Sequence, residues 1–175
     1  MEVYLIRHTS VDVEPGTCYG FTDVPVRTTF AEEAAATQRQ LQGLVFDHVY
    51  CSPLSRAAKL AAFCGYPDAD RDDRIKEMNM GDWEMKKFDE ITDPQLQKWY
   101  DDYLHEPTKG GESFGDLYRR VAHFLEELRR KDYRRVAVFA HGGVLICARV
   151  YAGQLSPEDG FSHLTPYGGI EKIEL

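Results

Sequence analysis

The sequence predicts an α/β fold in which a mostly parallel sheet lies between two layers of helices. Two short apolar runs, at residues 3–6 and 136–140, are typical of strands that are buried on both faces. Segments with apolar residues at helical spacing alternate with such runs, an order that indicates strand–helix–strand units and a parallel sheet. We therefore expect a three-layer α/β/α sandwich, formed as a single domain by residues 1–175.

The first half of the chain begins this pattern. Its predicted elements are a strand at 3–6, a helix at 30–44, a strand at 48–51 and a helix at 52–63. Ser52 is expected to cap the last of these helices, with Pro53 at its first position, where a missing N–H costs nothing. The connection at residues 9–29 is long, and loops of that length are uncommon unless they are functional. We expect it to form part of a pocket wall.

The second half is expected to hold a less regular segment before the pattern resumes. Residues 66–111 predict an inserted lid-like subdomain over the edge of the sheet, with a helix at 94–104. Ser113 and Asp116 resemble a capping box at the start of a helix that ends near Leu128. The remaining predicted elements are a strand at 136–140, a helix at 144–151 and closing strands at 161–164 and 170–175.

The composition limits the possible partners. The formal net charge of −8 would repel nucleic acid and anionic membrane surfaces, so neither is expected as a partner. An anionic substrate must instead be held by a few specific arginines. No apolar run approaches the roughly 20 residues that span a bilayer, and the amino-terminal residues lack the basic region of a signal peptide. The four cysteines show no CxxC spacing, so we expect reduced thiols in a cytoplasmic protein.

Cationic and imidazole side chains follow the two long predicted strands. Arg7 and His8 end the first strand, and His141 follows the strand at 136–140. Ligands bind in the crevice outside the carboxyl ends of such strands, and Arg56, near the start of a helix, can reach the same crevice. These four residues predict a clamp for a dianionic phosphoryl group, because guanidinium groups match phosphate oxygens. Since arginines would repel a divalent cation, no metal and no other cofactor is expected.

This set of residues suits phosphoryl transfer, which depends mainly on positioning and charge neutralisation. A neutral His8 can attack phosphorus and form a phosphoenzyme. Arg7, Arg56 and His141 would stabilise the charge on the equatorial oxygens. Glu77 is the candidate for the general acid that protonates the leaving oxygen and later acts as the base for water.

Other side chains near these motifs have open roles. Asp82 and Glu84 are candidates for keeping the general acid protonated, although stabilisation of the loop is the favoured role of Glu84. Tyr19, Phe21 and Trp83 are candidates for stacking on a substrate base. Packing in the core or in the pocket wall is the alternative for these three aromatic side chains.

Six short motifs occur in the order seen in one known family. They are Leu5-Ile6-Arg7-His8, Tyr19-Gly20-Phe21-Thr22-Asp23-Val24-Pro25, Cys51-Ser52-Pro53-Leu54-Ser55-Arg56-Ala57, Glu77-Met78-Asn79-Met80-Gly81-Asp82-Trp83-Glu84, Gly111-Glu112-Ser113-Phe114 and Ala140-His141-Gly142-Gly143. Through them the chain resembles the histidine phosphatase superfamily, also called phosphoglycerate-mutase-like. The resemblance implies that fold, a phosphohistidine at His8 and a proton donor at Glu77. It also implies a phosphate pocket of Arg7, Arg56 and His141.

Within that family, the acidic loop and the short length are most similar to the α-ribazole phosphatase branch. This finer resemblance implies α-ribazole 5′-phosphate as the substrate, in the assembly of the cobalamin nucleotide loop.

The loop after the nucleophile departs from the family pattern. Thr9 replaces the usual glycine, and Ser10 and Val11 replace the usual Glu and Thr. Glu14 stands where many members have an asparagine that touches phosphate, and its carboxylate would repel that group. We therefore expect a re-routed loop in which hydroxyl groups of Thr9, Ser10 or Thr22 contact the phosphate.

The leading hypothesis is a cofactor-independent phosphomonoesterase that acts on a small phosphorylated metabolite. A phosphoglycerate-mutase-type phosphotransferase is one alternative, although mutases usually need longer lids than 175 residues offer. A phosphatase of another sugar or nucleotide phosphate is another. A non-catalytic module that binds phosphorylated ligands has support only from Thr9 and Glu14. A metal-dependent hydrolase built on His8 and His141 would be excluded by activity that survives EDTA.

Overall fold

Five strands form one sheet at the centre of the molecule, which we describe from a computed structural model covering all 175 residues. The strands are β1 (Glu2–Arg7), β2 (His48–Cys51), β3 (Asp70–Arg71), β4 (Arg135–Ala140) and β5 (Ile170–Glu174). Their order across the sheet is β3-β2-β4-β1-β5, and only the β1–β5 pair is antiparallel. The sheet is therefore mostly parallel, as the sequence predicted.

Helices cover both faces of this sheet. They are α1 (Phe30–Gln40), α2 (Ser55–Phe63), α3 (Gln95–Asp101), α4 (Phe114–Leu128) and α5 (Gly142–Tyr151). Short 3₁₀ segments lie at Asp73–Ile75, Gly81–Trp83, Phe88–Glu90 and Pro157–His163. None of the helices combines the length and the apolar character that crossing a bilayer requires.

Alternate residues of the central strands pack into two separate hydrophobic clusters. Leu5 and Val138 belong to the cluster that includes α4 and α5, and Ile6 and Phe139 to the cluster that includes α1 and α2. Because successive side chains of a strand point to opposite faces, the two clusters lie on opposite sides of the sheet. The three-layer α/β/α sandwich is confirmed.

The register of β1 and β4 brings two candidate site residues, His8 and His141, to the same edge of the sheet. The two strands run parallel with Arg7 opposite Ala140. The peptide N–H of His8 then donates to the carbonyl of Ala140, at 3.1 Å. His8 follows β1 and His141 follows β4, so both residues leave the sheet at the same edge.

Several predicted elements differ from the structure. The helix predicted at 94–104 spans only Gln95–Asp101, and the helix predicted at 144–151 begins two residues earlier, at Gly142. The helix predicted at 30–44 ends at Gln40, and Gly43 takes a left-handed φ of +83° in the turn that follows. The helix predicted to begin at Ser52 begins at Ser55, because Leu54 is still in an extended conformation and serves as the N-cap. The Ser52 hydroxyl accepts from the Leu54 N–H, one residue before the helix, and also bonds to His141. The segment at 161–164 lies in a 3₁₀ helix and not in a strand, since β5 already occupies the free edge of β1.

The capping box at the start of α4 is confirmed. The Ser113 hydroxyl accepts a hydrogen bond from the Asp116 N–H, and the Asp116 carboxylate accepts one from the Ser113 N–H. Residues 66–111 contain β3, three 3₁₀ segments and α3. Met78 and Trp83 from this segment pack in the same cluster as α4 and α5. A lid function of the segment stays a prediction.

Candidate active site

The two histidines meet at the carboxyl edge of the sheet. The ring centroids of His8 and His141 are 5.2 Å apart, and the two residues are 2% and 0% exposed. Their proximity follows from the parallel pairing of β1 with β4. The two imidazole rings are buried next to each other and form the centre of the site.

The environment of His8 selects one protonation state and one tautomer. Burial, followed by the field of Arg56, lowers the pKa of His8 to about 3, so the ring is neutral near pH 7. Its Nδ1 lies 2.7 Å from the carbonyl oxygen of Thr9. A carbonyl oxygen can only accept, so Nδ1 carries the proton and Nε2 keeps a free lone pair. This is the state in which an imidazole is a nucleophile.

The His141 ring is held by Ser52, which the sequence had predicted to cap a helix. The Nε2 atom of His141 lies 2.7 Å from the hydroxyl oxygen of Ser52, and its Nδ1 is buried without a partner. Burial, followed by the field of Arg56, places the pKa of His141 well below its ordinary value. Ser52 directly follows β2, which neighbours β4, and this shared edge is the signal that could have identified the contact.

Arg56 is a buried cation without an ion-pair partner. Its side chain is fully buried in the first turn of α2. It donates to the carbonyls of Gly20 at 2.6 Å and Thr22 at 2.9 Å, and its Nε–H has no acceptor. Burial lowers the pKa of the guanidinium, and the nearby carboxylate of Glu77 opposes that effect. Since a buried unpaired charge costs several kcal/mol, the site favours the arrival of an anion.

Arg7 is arranged in a similar way on the other side of His8. One terminal nitrogen donates to the carbonyl of Thr165 at 2.6 Å, and the Nε–H is buried without an acceptor. Its guanidinium carbon lies 4.0 Å from the ring centroid of Tyr167, in a cation–π contact. Arg7 and Arg56 both lower the pKa of both histidines, which shows that the four groups share one electrostatic environment.

Glu77 lies in the wall of the same cavity, on a loop without regular structure. One of its carboxylate oxygens accepts from the Met78 N–H at 2.9 Å, and the other from the Gly143 N–H at 3.0 Å. Gly143 belongs to the first turn of α5, directly after His141 and Gly142. The carboxylate is thereby fixed beside the cavity that His8 also lines.

The expected acidic neighbours of Glu77 have other roles. Glu84 accepts hydrogen bonds from the N–H groups of Gly20 and Phe21 and from the hydroxyl of Thr22. It stabilises the loop, which was the favoured interpretation. Asp82 is exposed and lines a separate surface depression that does not include Glu77. The expectation that these two residues keep the general acid protonated is not supported, because Glu84 binds the segment at 20–22 and Asp82 faces that separate depression.

The hydroxyl groups proposed to contact phosphate divide into two kinds. Ser10 donates its hydroxyl proton to Glu33 at 2.7 Å, and Thr22 donates its own to Glu84 at 2.9 Å. A hydroxyl has one proton to donate, so neither is free to serve a phosphate oxygen, and both assignments are corrected. The Thr9 hydroxyl is buried without a hydrogen-bond partner, and its contact with phosphate stays a prediction. Glu14 forms an ion pair with Lys87 at the surface, and its carboxylate is therefore already neutralised there.

Four of the seven buried polar side-chain atoms that lack a partner belong to this site. They are the Nε atoms of Arg7 and Arg56, Nδ1 of His141 and the hydroxyl oxygen of Thr9. Buried polar groups are normally hydrogen-bonded, and each exception needs an explanation. Donors without acceptors around a neutral nucleophile are the pattern that an oxyanion site presents before its ligand arrives.

A cavity of about 330 Å³ opens from His8 toward an apolar wall. The side chains of this wall are Tyr19, Met78, Met80, Phe88, Trp99, Leu117, Phe161 and Leu164. Of the three aromatic candidates for stacking, Tyr19 lines the cavity, Phe21 does not, and Trp83 is 1% exposed in the core. No group of three or more His, Cys, Asp or Glu side chains is arranged to hold a metal ion.

Two tyrosines close the site on the side of the arginines. The hydroxyl oxygens of Tyr19 and Tyr167 are 3.2 Å apart, and the Tyr167 ring centroid lies 5.6 Å from that of His8. Tyr19 lies against the guanidinium of Arg56 as Tyr167 lies against Arg7. Tyr167 and the cavity residues Phe88, Trp99 and Phe161 were not predicted from the sequence, since no local motif marks them.

Comparison with known proteins gives one consistent result. The profile of the histidine phosphatase superfamily (branch 1) matches residues 3–175. The adenosylcobalamin/alpha-ribazole phosphatase of Escherichia coli (strain K12) is 30% identical over 154 residues, which cover 83% of this chain and 75% of that relative. Phosphoserine phosphatase 1 of Hydrogenobacter thermophilus is 28% identical over 149 residues, 79% of this chain and 69% of that relative.

A solved structure agrees with the sequence comparisons. The crystal structure of the alpha-ribazole phosphatase from Shigella flexneri matches with a TM-score of 0.90 at 24% identity. The match covers 100% of this chain and 91% of that chain, and it establishes the phosphoglycerate-mutase-like fold. The profile match spans almost the whole chain, and the motifs quoted above lie within it. The chain therefore belongs to the histidine phosphatase superfamily.

Proposed function

We propose that this protein hydrolyses a small-molecule phosphate monoester through a phosphohistidine at His8, and that its substrate is α-ribazole 5′-phosphate. One observation carries the proposal. The neutral, buried His8 has a free Nε2 lone pair, and buried donors of Arg7, Arg56 and Thr9 around it lack acceptors. A phosphoryl group would satisfy those donors and present its phosphorus to the nucleophile.

In the first step, Nε2 of His8 attacks phosphorus, and the bond to the ester oxygen breaks. The electron pair of that bond goes to the leaving oxygen, which takes a proton from Glu77. Arg7, Arg56 and the Thr9 hydroxyl stabilise charge on the equatorial oxygens, in a site where burial strengthens each interaction. The products are the alcohol and a phosphohistidine.

In the second step, a water molecule attacks the phosphohistidine from the side that the alcohol has left. Glu77, now ionised, takes a proton from that water, and the N–P bond breaks with its electron pair returning to Nε2 of His8. Inorganic phosphate leaves, and Glu77 is again protonated for the next cycle. One carboxyl group thus serves both steps, and its two N–H contacts, to Met78 and Gly143, hold it beside the same cavity throughout.

The cavity supports α-ribazole 5′-phosphate over smaller, charged substrates. Its volume of about 330 Å³ lies within the range of small-molecule sites. The wall includes Phe88, Trp99 and Phe161, against which the apolar bicyclic base of α-ribazole can pack. Arg7 is the one arginine or lysine that lines the cavity, and the proposal uses it to bind the phosphate. A carboxylate in the leaving group would therefore have no partner, which disfavours phosphoserine and phosphoglycerate.

The same proposal includes three further elements. The E. coli relative named as an adenosylcobalamin/alpha-ribazole phosphatase supports a role in cobalamin biosynthesis. The segment at 66–111, which supplies Glu77, Phe88 and Trp99 to the cavity, would act as a lid over the substrate. The protein would work in the cytoplasm on a small phosphorylated metabolite.

The test is a phosphate-release assay combined with trapping of the phosphoenzyme. α-Ribazole 5′-phosphate should be hydrolysed with a higher kcat/KM than phosphoserine or 3-phosphoglycerate, and denatured enzyme should retain acid-labile phosphate. The His8→Ala variant should lose both signals. His105→Ala is the matched control, because His105 is exposed and bonds only to Asp102. Turnover by His8→Ala, or transfer of the phosphoryl group to a second metabolite in place of water, would refute the proposal.

A further inference from the structure

The loop that carries Glu77 is held by the side chain of Arg120, which projects from α4. Its Nη1 donates to the carbonyls of Arg74 at 2.8 Å and Lys76 at 2.6 Å, and its Nη2 donates to the carbonyl of Glu77 at 2.7 Å. Three carbonyls within four residues of chain thus converge on one guanidinium. The last of them belongs to the candidate proton donor itself.

Glu112 completes the arrangement. Its two carboxylate oxygens accept from Nε and Nη2 of Arg120 at 2.8 and 2.9 Å. A guanidinium has five N–H groups, and all five of Arg120 are engaged, two by Glu112 and three by the loop carbonyls. Glu112 also accepts from the N–H of Asn79 at 2.8 Å, and the Glu112 N–H donates to the Asn79 carbonyl at 2.8 Å. The loop is therefore tied down on both sides of Glu77.

These contacts matter for catalysis because the Met78 and Gly143 N–H groups hold only the carboxylate of Glu77, whereas Arg120 holds its backbone carbonyl. Glu77 lies between two 3₁₀ segments, outside any helix or strand. A proton donor must lie within about 2.6–3.2 Å of the leaving oxygen. A displacement of about 1 Å can cost ~10²-fold in rate. The side chains of Arg120 and Glu112 are only 17% and 19% exposed, so water cannot readily replace the bonds that they make.

We infer that Arg120, with Glu112, is a positioning residue that sets the protonation of the leaving group through Glu77. The inference rests on the proposed function. It predicts a specific kinetic signature: loss of Arg120 should slow esters whose leaving group needs a proton far more than esters whose leaving group does not. A residue that served only stability would change both kinds of ester equally.

The experiment compares ribose 5-phosphate, an ester with an alkyl leaving group, with p-nitrophenyl phosphate, whose leaving group departs without a proton. For Arg120→Gln we expect kcat on ribose 5-phosphate to fall at least 10-fold more than kcat on p-nitrophenyl phosphate. Glu112→Gln, which is nearly isosteric, should show the same split in weaker form. Arg119→Gln is the matched control, since the neighbouring Arg119 is exposed and pairs only with Asp116.

Each outcome has a defined meaning. Equal losses on both esters in the folded variants would overturn the inference, and so would unfolding of both variants, which would assign these contacts to the fold alone. The reference is Glu77→Gln, measured on the same two esters. If Glu77→Gln itself shows no split, the proposed role of Glu77 fails. If Glu77→Gln shows the split and the Arg120 and Glu112 variants do not, only the positioning role fails.

Discussion

A single methyl group added at Gly143 should displace Glu77, the proposed proton donor, without unfolding the protein. A Cβ built at this position would lie 2.3 Å from one carboxylate oxygen of Glu77 and 3.0 Å from a methyl carbon of Leu117. Ordinary contact begins at 3.4 Å, so the carboxylate of Glu77 must retreat by about 1 Å. Gly143 lies inside α5 without a positive φ, so alanine itself is compatible with the backbone there.

The magnitude follows from these two facts. Replacing a helical glycine by alanine favours the helix by about 1 kcal/mol, which offsets part of the cost of moving Glu77 and Leu117. A 1 Å misplacement of a catalytic group costs ~10²-fold in rate. We therefore expect Gly143→Ala to lower kcat on ribose 5-phosphate by about 100-fold, while the midpoint of urea unfolding changes little.

A double-mutant cycle identifies the cause. If Gly143→Ala acts by moving Glu77, then adding it to Glu77→Gln should cause little further loss, because the group that it displaces has already been removed. Activity should be measured on both the alkyl and the aryl ester, with the larger loss on the alkyl ester. Losses that multiply independently in the double variant, or an unchanged rate for Gly143→Ala, would refute the reasoning.

Three other predictions concern proton binding, metal dependence and substrate selection. Because the pKa of His8 is about 3 in the folded protein and 6.5 ordinarily, the unfolded state binds the extra proton between these values. The contribution of His8 to the free energy of unfolding should therefore be complete above pH 6.5. It should decrease as the pH falls toward 3, by up to ~1.4 kcal/mol per pH unit. Urea titrations at several pH values should show that the free energy of unfolding falls less steeply with decreasing pH in His8→Asn than in His105→Asn. Hydrolysis should persist in excess EDTA, because the proposed steps use only amino-acid side chains and water. Loss of activity in EDTA that only a divalent cation restores would contradict the proposed steps. Trp99→Ala should raise KM for α-ribazole 5′-phosphate several-fold and leave KM for ribose 5-phosphate nearly unchanged, and equal effects on both would remove Trp99 from the base-binding wall.

Features that depend on neighbouring residues in the sequence were predictable. The apolar runs that form β1 and β4 are local patterns, and the parallel pairing of such strands brings His8 and His141 to one edge. The capping box of α4 also involves residues only three apart. These features could be read from the chain because the physical interactions that create them involve short stretches or a general rule of sheet topology.

Features that depend on distant partners were not predictable. The Ser52 hydroxyl is a reasonable helix cap by sequence and does accept from the Leu54 N–H, but its bond to His141, 89 residues away, has no local signal. The hydroxyls of Ser10 and Thr22 were expected at the phosphate, and each instead donates to a carboxylate, one 23 and the other 62 residues distant. Competition between such partners is decided by tertiary packing, for which a single sequence provides no signal.

The anchor of Arg7 determines when the proposed phosphate pocket can form during synthesis. Thr165, whose carbonyl accepts from Arg7, is made 158 residues after it, and the Tyr167 ring that packs on Arg7 follows Thr165. Strand β5, which follows them, pairs with β1 along its whole length. A nascent chain that has not yet reached β5 therefore carries His8 without the complete proposed phosphate pocket, and we expect the proposed phosphoryl transfer only after Thr165, Tyr167 and β5 have been made.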